Sequence, residues 1–338
     1  MPGEDVPEDA PPEDAPLEDA VPEEGRRPDR VEFGIYLPQV SFDYTQLIDR
    51  ARAVEALGYD SLWLYDHLYS PGQPDLPSLE GWTLAAYLLA QTEHLRVGHL
   101  VLCNNFRHPA LLAKMATTLD VLSEGRLDLG LGSGSVSDEH HRAGLPWGTG
   151  AERSERLAES LEILTRMFTG SPTTFAGDHF RVADLPNLPK PVQSPRPPIH
   201  VGGIGPRRTL PLVARYADVW SIPTYGLSGW EESGRLLDAE CEAIGRAPSS
   251  LRRSQEAVLV VAPDGSALDT AKAQAGRRYG APGWGLEAGG FVGNPAQVAD
   301  RIATMVDKGI TTFVFFTHDR ADRRTLELFA EHVVPEFR

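Results

Sequence analysis

Short runs of consecutive apolar residues alternate along this chain with longer segments whose apolar positions recur every third or fourth residue. The runs predict strands over 31–37, 61–65, 95–102, 126–131, 198–201, 218–222, 256–261 and 311–317. The periodic segments between and after them predict helices over 44–57, 79–90, 109–122, 152–168, 206–216, 230–244, 267–278, 295–308 and 324–334. In the first of these, Leu47, Ile48, Ala51, Val54 and Leu57 share one face and Gly58 stops the helix. The strands are apolar throughout and do not alternate, which is the pattern of a parallel sheet covered on both faces. Eight strand-helix units predict a closed TIM (β/α)8 barrel, with an open doubly wound sheet as the other arrangement. The first strand lacks the glycine-rich dinucleotide fingerprint of the open sheet. Chemistry is then expected at the C-terminal face, where three long insertions fall at 132–150, 171–197 and 281–293.

Composition changes the picture at one end. Ten acidic residues and no basic one lie within the first 25, and Pro-Glu-Asp-Ala recurs there, so residues 1–28 read as a disordered acidic tail and 29–338 as the catalytic domain. The formal net charge is −16 overall but only −6 beyond that tail, and no basic stripe suggests nucleic acid. Cys103 and Cys241 make neither a disulfide framework nor a metal spacing. No apolar run is long enough to cross a bilayer and the N-terminus is acidic where a secretory signal is basic, so a cytoplasmic location without membrane contact is expected.

Candidate chemistry gathers at strand ends. Gly202, Gly203 and Gly205 permit a tight turn into a helix opening near Pro206. With Arg207 and Arg208 beside it, that turn suits a phosphate, or is a plain glycine turn with solvated arginines. Asp66 and His67 follow the second strand, where a histidine with a nearby carboxylate suits proton transfer and an aspartate also suits a helix cap. The third strand ends in Leu102, Cys103 and Asn104, and the fourth in Gly132, Ser133 and Gly134, where small residues let something bulky approach the backbone. Asp138, Glu139, His140 and His141 have metal-ligand chemistry but are adjacent in a loop, and no metal is expected. Trp147, Tyr225 and Trp284 are candidates for an apolar wall over a substrate.

Taken together, Gly58-Tyr59-Asp60-Ser61-Leu62-Trp63, Asp66-His67, Arg107-His108-Pro109 with Lys114, Leu122-Ser123-Glu124-Gly125-Arg126, Gly130-Leu131-Gly132-Ser133-Gly134 and Gly202-Gly203-Ile204-Gly205-Pro206 make the chain resemble the bacterial luciferase-like superfamily of flavin and deazaflavin enzymes. The resemblance covers nearly everything from Val31 onward and implies a TIM barrel with a reduced flavin-type cofactor at its C-terminal mouth. The Asp66-His67 pair resembles the branch that uses the deazaflavin coenzyme F420 for hydride exchange with a small substrate. In that reading His67 gives or takes a proton with Asp66 assisting, and a bulge with a non-prolyl cis peptide falls at Leu102, Cys103 and Asn104. Gly202, Gly203 and Gly205 hold the phosphate with Arg207, and Ser133 and Gly134 line the mouth. The alternatives are an FMN-dependent monooxygenase fed by a separate reductase and a non-catalytic flavin-binding barrel. A homodimer is also implied. Where sugar-phosphate dehydrogenases of this superfamily place a glutamate after the fourth-strand glycines, this chain has Ser135.

Overall fold

A computed structural model describes residues 30–280 and 285–338; the expected tail at 1–28 and Trp284 lie outside the described residues. Eight parallel strands, β1 (Glu32–Tyr36), β2 (Ser61–Leu64), β3 (Arg96–His99), β4 (Leu127–Gly132), β5 (Ile199–Gly202), β6 (Val219–Ile222), β7 (Arg252–Val261) and β8 (Thr312–Thr317), pair in that order. The ring closes between β8 and β1, where Phe33 lies opposite Phe313 and Ile35 opposite Phe315. The expected TIM barrel is therefore the fold.

Within each strand the two faces separate by parity. Phe33 and Ile35, Leu62 and Leu64, and Phe313 and Phe315 all join the large core beneath the helices, while Trp63, Leu100 and Val314 form a small cluster inside the ring against Tyr36 and Val101. Both faces are apolar here, which is why the sequence shows runs and not alternation. Phe33, Phe313 and Phe315 are fully buried, and each side chain contributes roughly 1.5–3 kcal/mol by leaving water. On β7, Ala257 and Leu259 face the helices, so Ser254 and Glu256 fall on the interior face.

Several helices start where capping side chains take their free amides. Asp43 and Gln46 make a capping box on helix Tyr44–Ala56, and Thr149 and Glu152 make one on Gly150–Thr169. Glu80 accepts from the amides of Trp82 and Thr83 and starts helix Gly81–Gln91 two residues later than the periodicity predicts. The helix expected from Pro206 begins at Thr209, because residues 206–208 turn around the Gly205 carbonyl, which accepts from the Thr209 and Leu210 amides at 2.9 and 3.1 Å. The 171–197 insertion carries an antiparallel hairpin, Thr173–Ala176 with Arg181–Leu185, that the apolar pattern does not disclose.

The largest departure is at the third strand, expected to run unbroken over 95–102. It stops at His99, passes through a cis peptide between Leu100 and Val101, and resumes as Leu102–Cys103, which pairs with β4 alone. The non-prolyl cis bond expected at Leu102, Cys103 and Asn104 thus lies just before them. The break is seated on missing side chains. A Cβ on Gly130 would lie 2.0 Å from the His99 carbonyl oxygen, and one on Gly132 would lie 2.6 Å from a Val101 methyl. The bulky neighbour that these glycines admit is the chain's own bulge.

Candidate active site

The bulge, the β2 end and the loops after β4 and β5 surround a cavity of about 220 Å3 at the C-terminal mouth. Asp66, His67, Leu102, Cys103, Ser133, Gly134, Gly202 and Gly203 all line it, so residues far apart in sequence converge. Asn104, Gly205 and Arg207 do not line it. Arg207 and Arg208 are exposed and pair with no carboxylate among the described residues, while Asn104 is buried in a short turn over Asn104–Phe106.

His67 follows β2 and remains partly open, with 27% of its side chain exposed. Its Nδ1 lies 2.7 Å from Oε2 of Glu139, whose other carboxylate oxygen accepts from the Leu68 amide at 2.7 Å. An ionised Glu139 in this position requires the hydrogen on Nδ1, which leaves Nε2 to accept or deliver a proton. The carboxylate bonded to His67 is therefore Glu139, where Asp66 was expected. Glu139 stands on the short helix Ser137–Ala143, four positions beyond Ser135, and lines the same cavity.

Asp66 is committed elsewhere. Both its oxygens accept from Arg107, at 2.7 and 2.8 Å, and one of them also accepts from the Cys103 amide at 2.8 Å. Arg107 reaches on to Glu80 at 2.8 Å. A bidentate pair of this kind is strong and directional. It fastens the resumed strand at Cys103 to the end of β2, so Asp66 positions the bulge. Burial pushes the Cys103 thiol up to about 12, which leaves it without thiolate character at neutral pH.

Two further groups face the mouth. His140, next to Glu139, also lines the cavity but meets other partners: its Nδ1 lies 3.0 Å from the Val136 carbonyl, its Nε2 3.6 Å from the Cys103 sulfur, and its ring packs edge-on against Trp147. Trp147 is thus a wall behind the site, while Tyr225 lines the cavity itself. Glu256 enters from β7. Its carboxyl borders the cavity but is surrounded by protein, and this desolvation pushes it up to about 8. Sequence reading missed Glu139 and Glu256 as site residues. The available signal for Glu256 was a charged residue at the start of the apolar run Ala257–Val261, where burying it without purpose is costly.

The glycine turn after β5 is rigidly held. The Trp220 indole donates to the Gly203 carbonyl at 2.8 Å, the Gly203 amide reaches Ser221 at 3.2 Å, and Gly203 has a φ of 124° with the Thr209 methyl 3.1 Å from where a Cβ would be. Val101 packs over both Gly132 and Gly202, so this side of the cavity is built of backbone and one methyl pair.

Comparison with known proteins agrees with this geometry. The family model described as luciferase-like monooxygenase matches residues 29–312. An F420-dependent hydroxymycolic acid dehydrogenase from Mycobacterium tuberculosis is 30% identical over 70% of this chain and 65% of its own length. An F420-dependent glucose-6-phosphate dehydrogenase from Microbacterium testaceum is 28% identical over 91% of this chain and 98% of its own. Among solved structures, an F420-dependent secondary alcohol dehydrogenase in complex with an F420-acetone adduct shares the fold, with a TM-score of 0.76 at 19% identity over 91% of this chain and 99% of that one. The chain belongs to the luciferase-like monooxygenase family, is an oxidoreductase, and resembles the F420-dependent members of that family.

Proposed function

We propose that this protein is a coenzyme F420-dependent oxidoreductase that exchanges a hydride between the deazaflavin and a small organic substrate, by reduction of C=C or C=N or by oxidation of an alcohol. The observation that carries the reading is the convergence on one cavity of a side built of backbone and one methyl pair, the Val101 bulge over Gly132 and Gly202, with a proton-handling pair, His67 and Glu139. The residues present fit the cofactor. That side suits a planar ring, and the Gly203 turn, with Arg207 and Arg208 exposed beyond it, suits a phosphate. The deazaflavin supplies hydride chemistry when bound.

The chain supplies the rest. The Asp66-Arg107 brace fixes the bulge that receives the ring. Ser133 and Gly134 form the wall beside it. His67 holds or takes a proton at Nε2, and Glu139 orients its imidazole through Nδ1. The supporting relatives are F420-dependent dehydrogenases by name.

The test is anaerobic equilibrium binding of coenzyme F420 and of FMN to the purified protein, repeated with Gly203→Asp. Preference for F420, lost in the variant, supports the reading; preference for FMN replaces it with a monooxygenase, and binding of neither removes it.

A further inference from the structure

The mouth of this barrel has an uneven charge inventory. Among the described residues that line it there is no lysine or arginine, and there are three carboxylates. Asp66 is taken by Arg107 and the Cys103 amide, and Glu139 by His67 and the Leu68 amide. Glu256 has no hydrogen-bond or ion-pair partner among the described residues. It is therefore the one acid of the site available to a ligand.

Its position says which part of a ligand it meets. In the ring of eight, β7 stands four strands from β3 in either direction, so Glu256 faces the bulge from across the mouth. The bulge is the side where a ring is received; Glu256 looks at what is placed upon that ring. The groups around it are Tyr36 from β1 and Tyr225 from the turn after β6, whose hydroxyls are raised first by burial and then by the charge of Glu256. Val314 lies beside it in register on β8, and Ile222 on β6 pairs with the preceding Gln255. Across the cavity the titratable groups are Asp66, which Arg107 holds, His67 with Glu139, Cys103 and His140. A carboxylate with no competing cation, in a cavity that Tyr225 also lines, is a receptor for a positively charged nitrogen, since the acid supplies the counter-charge and an aromatic neighbour can add cation-π attraction.

We propose that Glu256 is the specificity residue of this site and that it selects a substrate bearing a protonated nitrogen, an iminium ion and its ammonium product. This deepens the hydride-transfer reading above and rests on it for the reaction, though not for the binding. Charge balance supports the pairing. The iminium carbon gains a hydride, the C=N π pair becomes the nitrogen lone pair, and that nitrogen takes the proton left over when a reduced deazaflavin is oxidised. The nitrogen carries one positive charge before and after, so a single fixed carboxylate serves both ends of the reaction. Phosphorylated sugars find no counter-ion in this cavity. In the empty site Glu256 retains its proton at neutral pH through desolvation, and arrival of a cation expels it.

The experiment is isothermal titration of the protein, saturated with oxidised coenzyme F420, with piperidinium and with its neutral counterpart cyclohexanone at pH 7. Running it in two buffers of different ionisation enthalpy counts protons. Piperidinium is expected to bind at least tenfold more tightly and to release close to one proton per molecule bound. Glu256→Gln, equal in size, is expected to abolish both the preference and the release while leaving coenzyme binding, followed by optical titration, unchanged. Equal binding of the two rings, binding of neither, or a release that persists in the variant overturns the proposal; the comparison on the parent protein stands whether or not the variant folds. A protein that binds piperidinium in this way but fails to bind the coenzyme keeps the recognition site and loses the F420 reading.

Discussion

Replacing Asp66 with asparagine removes a charge and almost no volume, and the geometry gives its cost. The carboxylate is 3% exposed and receives three hydrogen bonds, two from Arg107 and one from the Cys103 amide. Asparagine keeps one carbonyl, which suits the Cys103 amide, but its NH2 presents donors to a guanidinium that has only donors. Breaking a buried pair by removing one partner costs about 3–5 kcal/mol. Arg107 keeps Glu80, whose side chain is 44% exposed, and such a partner offsets up to about 1 kcal/mol. The expected loss is about 2–4 kcal/mol, read from urea unfolding followed by circular dichroism, with an unchanged denaturant slope. Adding Arg107→Leu to Asp66→Asn removes the stranded charge and is expected to recover part of the loss. A single variant within about 1 kcal/mol of the parent, or a double variant whose losses simply add, refutes the assignment of Asp66 as the brace of the bulge.

Three more outcomes follow from the same geometry. Gly130→Ala places a methyl on the His99 carbonyl and is expected to cost at least about 1–3 kcal/mol, whereas Gly132→Ala meets only the Val101 methyl and is expected to lower cofactor affinity more than stability, as titration against urea melts would separate. Glu256 is held near 8 when folded and falls to about 4.3 when unfolded, so the folded chain keeps a proton the unfolded chain has lost, and stability declines as pH rises across that window and then levels. Glu256→Gln is therefore expected to gain on the parent between about pH 5 and pH 8; a difference independent of pH in urea midpoints would count against the buried carboxyl. Cys103 and Cys241 both have thiols pushed up by burial, so iodoacetamide at about pH 8 is expected to label neither until the protein is unfolded.

The barrel was legible because its strands are apolar on both faces and its helices carry one apolar stripe each, so strand and helix periods never compete over the same residues. The bulge was not, because Leu100, Val101 and Leu102 extend an apolar run whether or not the strand continues. What betrays the break is Gly130 and Gly132 on the next strand, and their spacing reads equally well as a ligand's approach. The site was legible at His67 and only half so beyond it. Asp66 is its neighbour in sequence, but consecutive residues at a strand end point apart, and the carboxylate that reaches the imidazole comes from a helix 72 residues on. Glu139 and His140 stood out for their chemistry, yet successive helical positions lie about 100° apart, so they serve different partners. Arg207 illustrates the limit of motif reading: the turn it follows borders the cavity while its own side chain does not.

The interrupted third strand also alters how the barrel is closed. Through His99 the seam with β2 is made of peptide groups, and its last rung is the Leu100 amide on the Leu64 carbonyl at 2.9 Å. One step higher the rung is no longer backbone: the Cys103 amide is met by the carboxylate of Asp66. A peptide carbonyl is the same in every sequence, but a side-chain oxygen has a reach that changes with its residue. At this single height the width of the mouth is encoded by a side chain, so a one-methylene change to glutamate would respace the entrance while the eight-strand register below it stayed as it is.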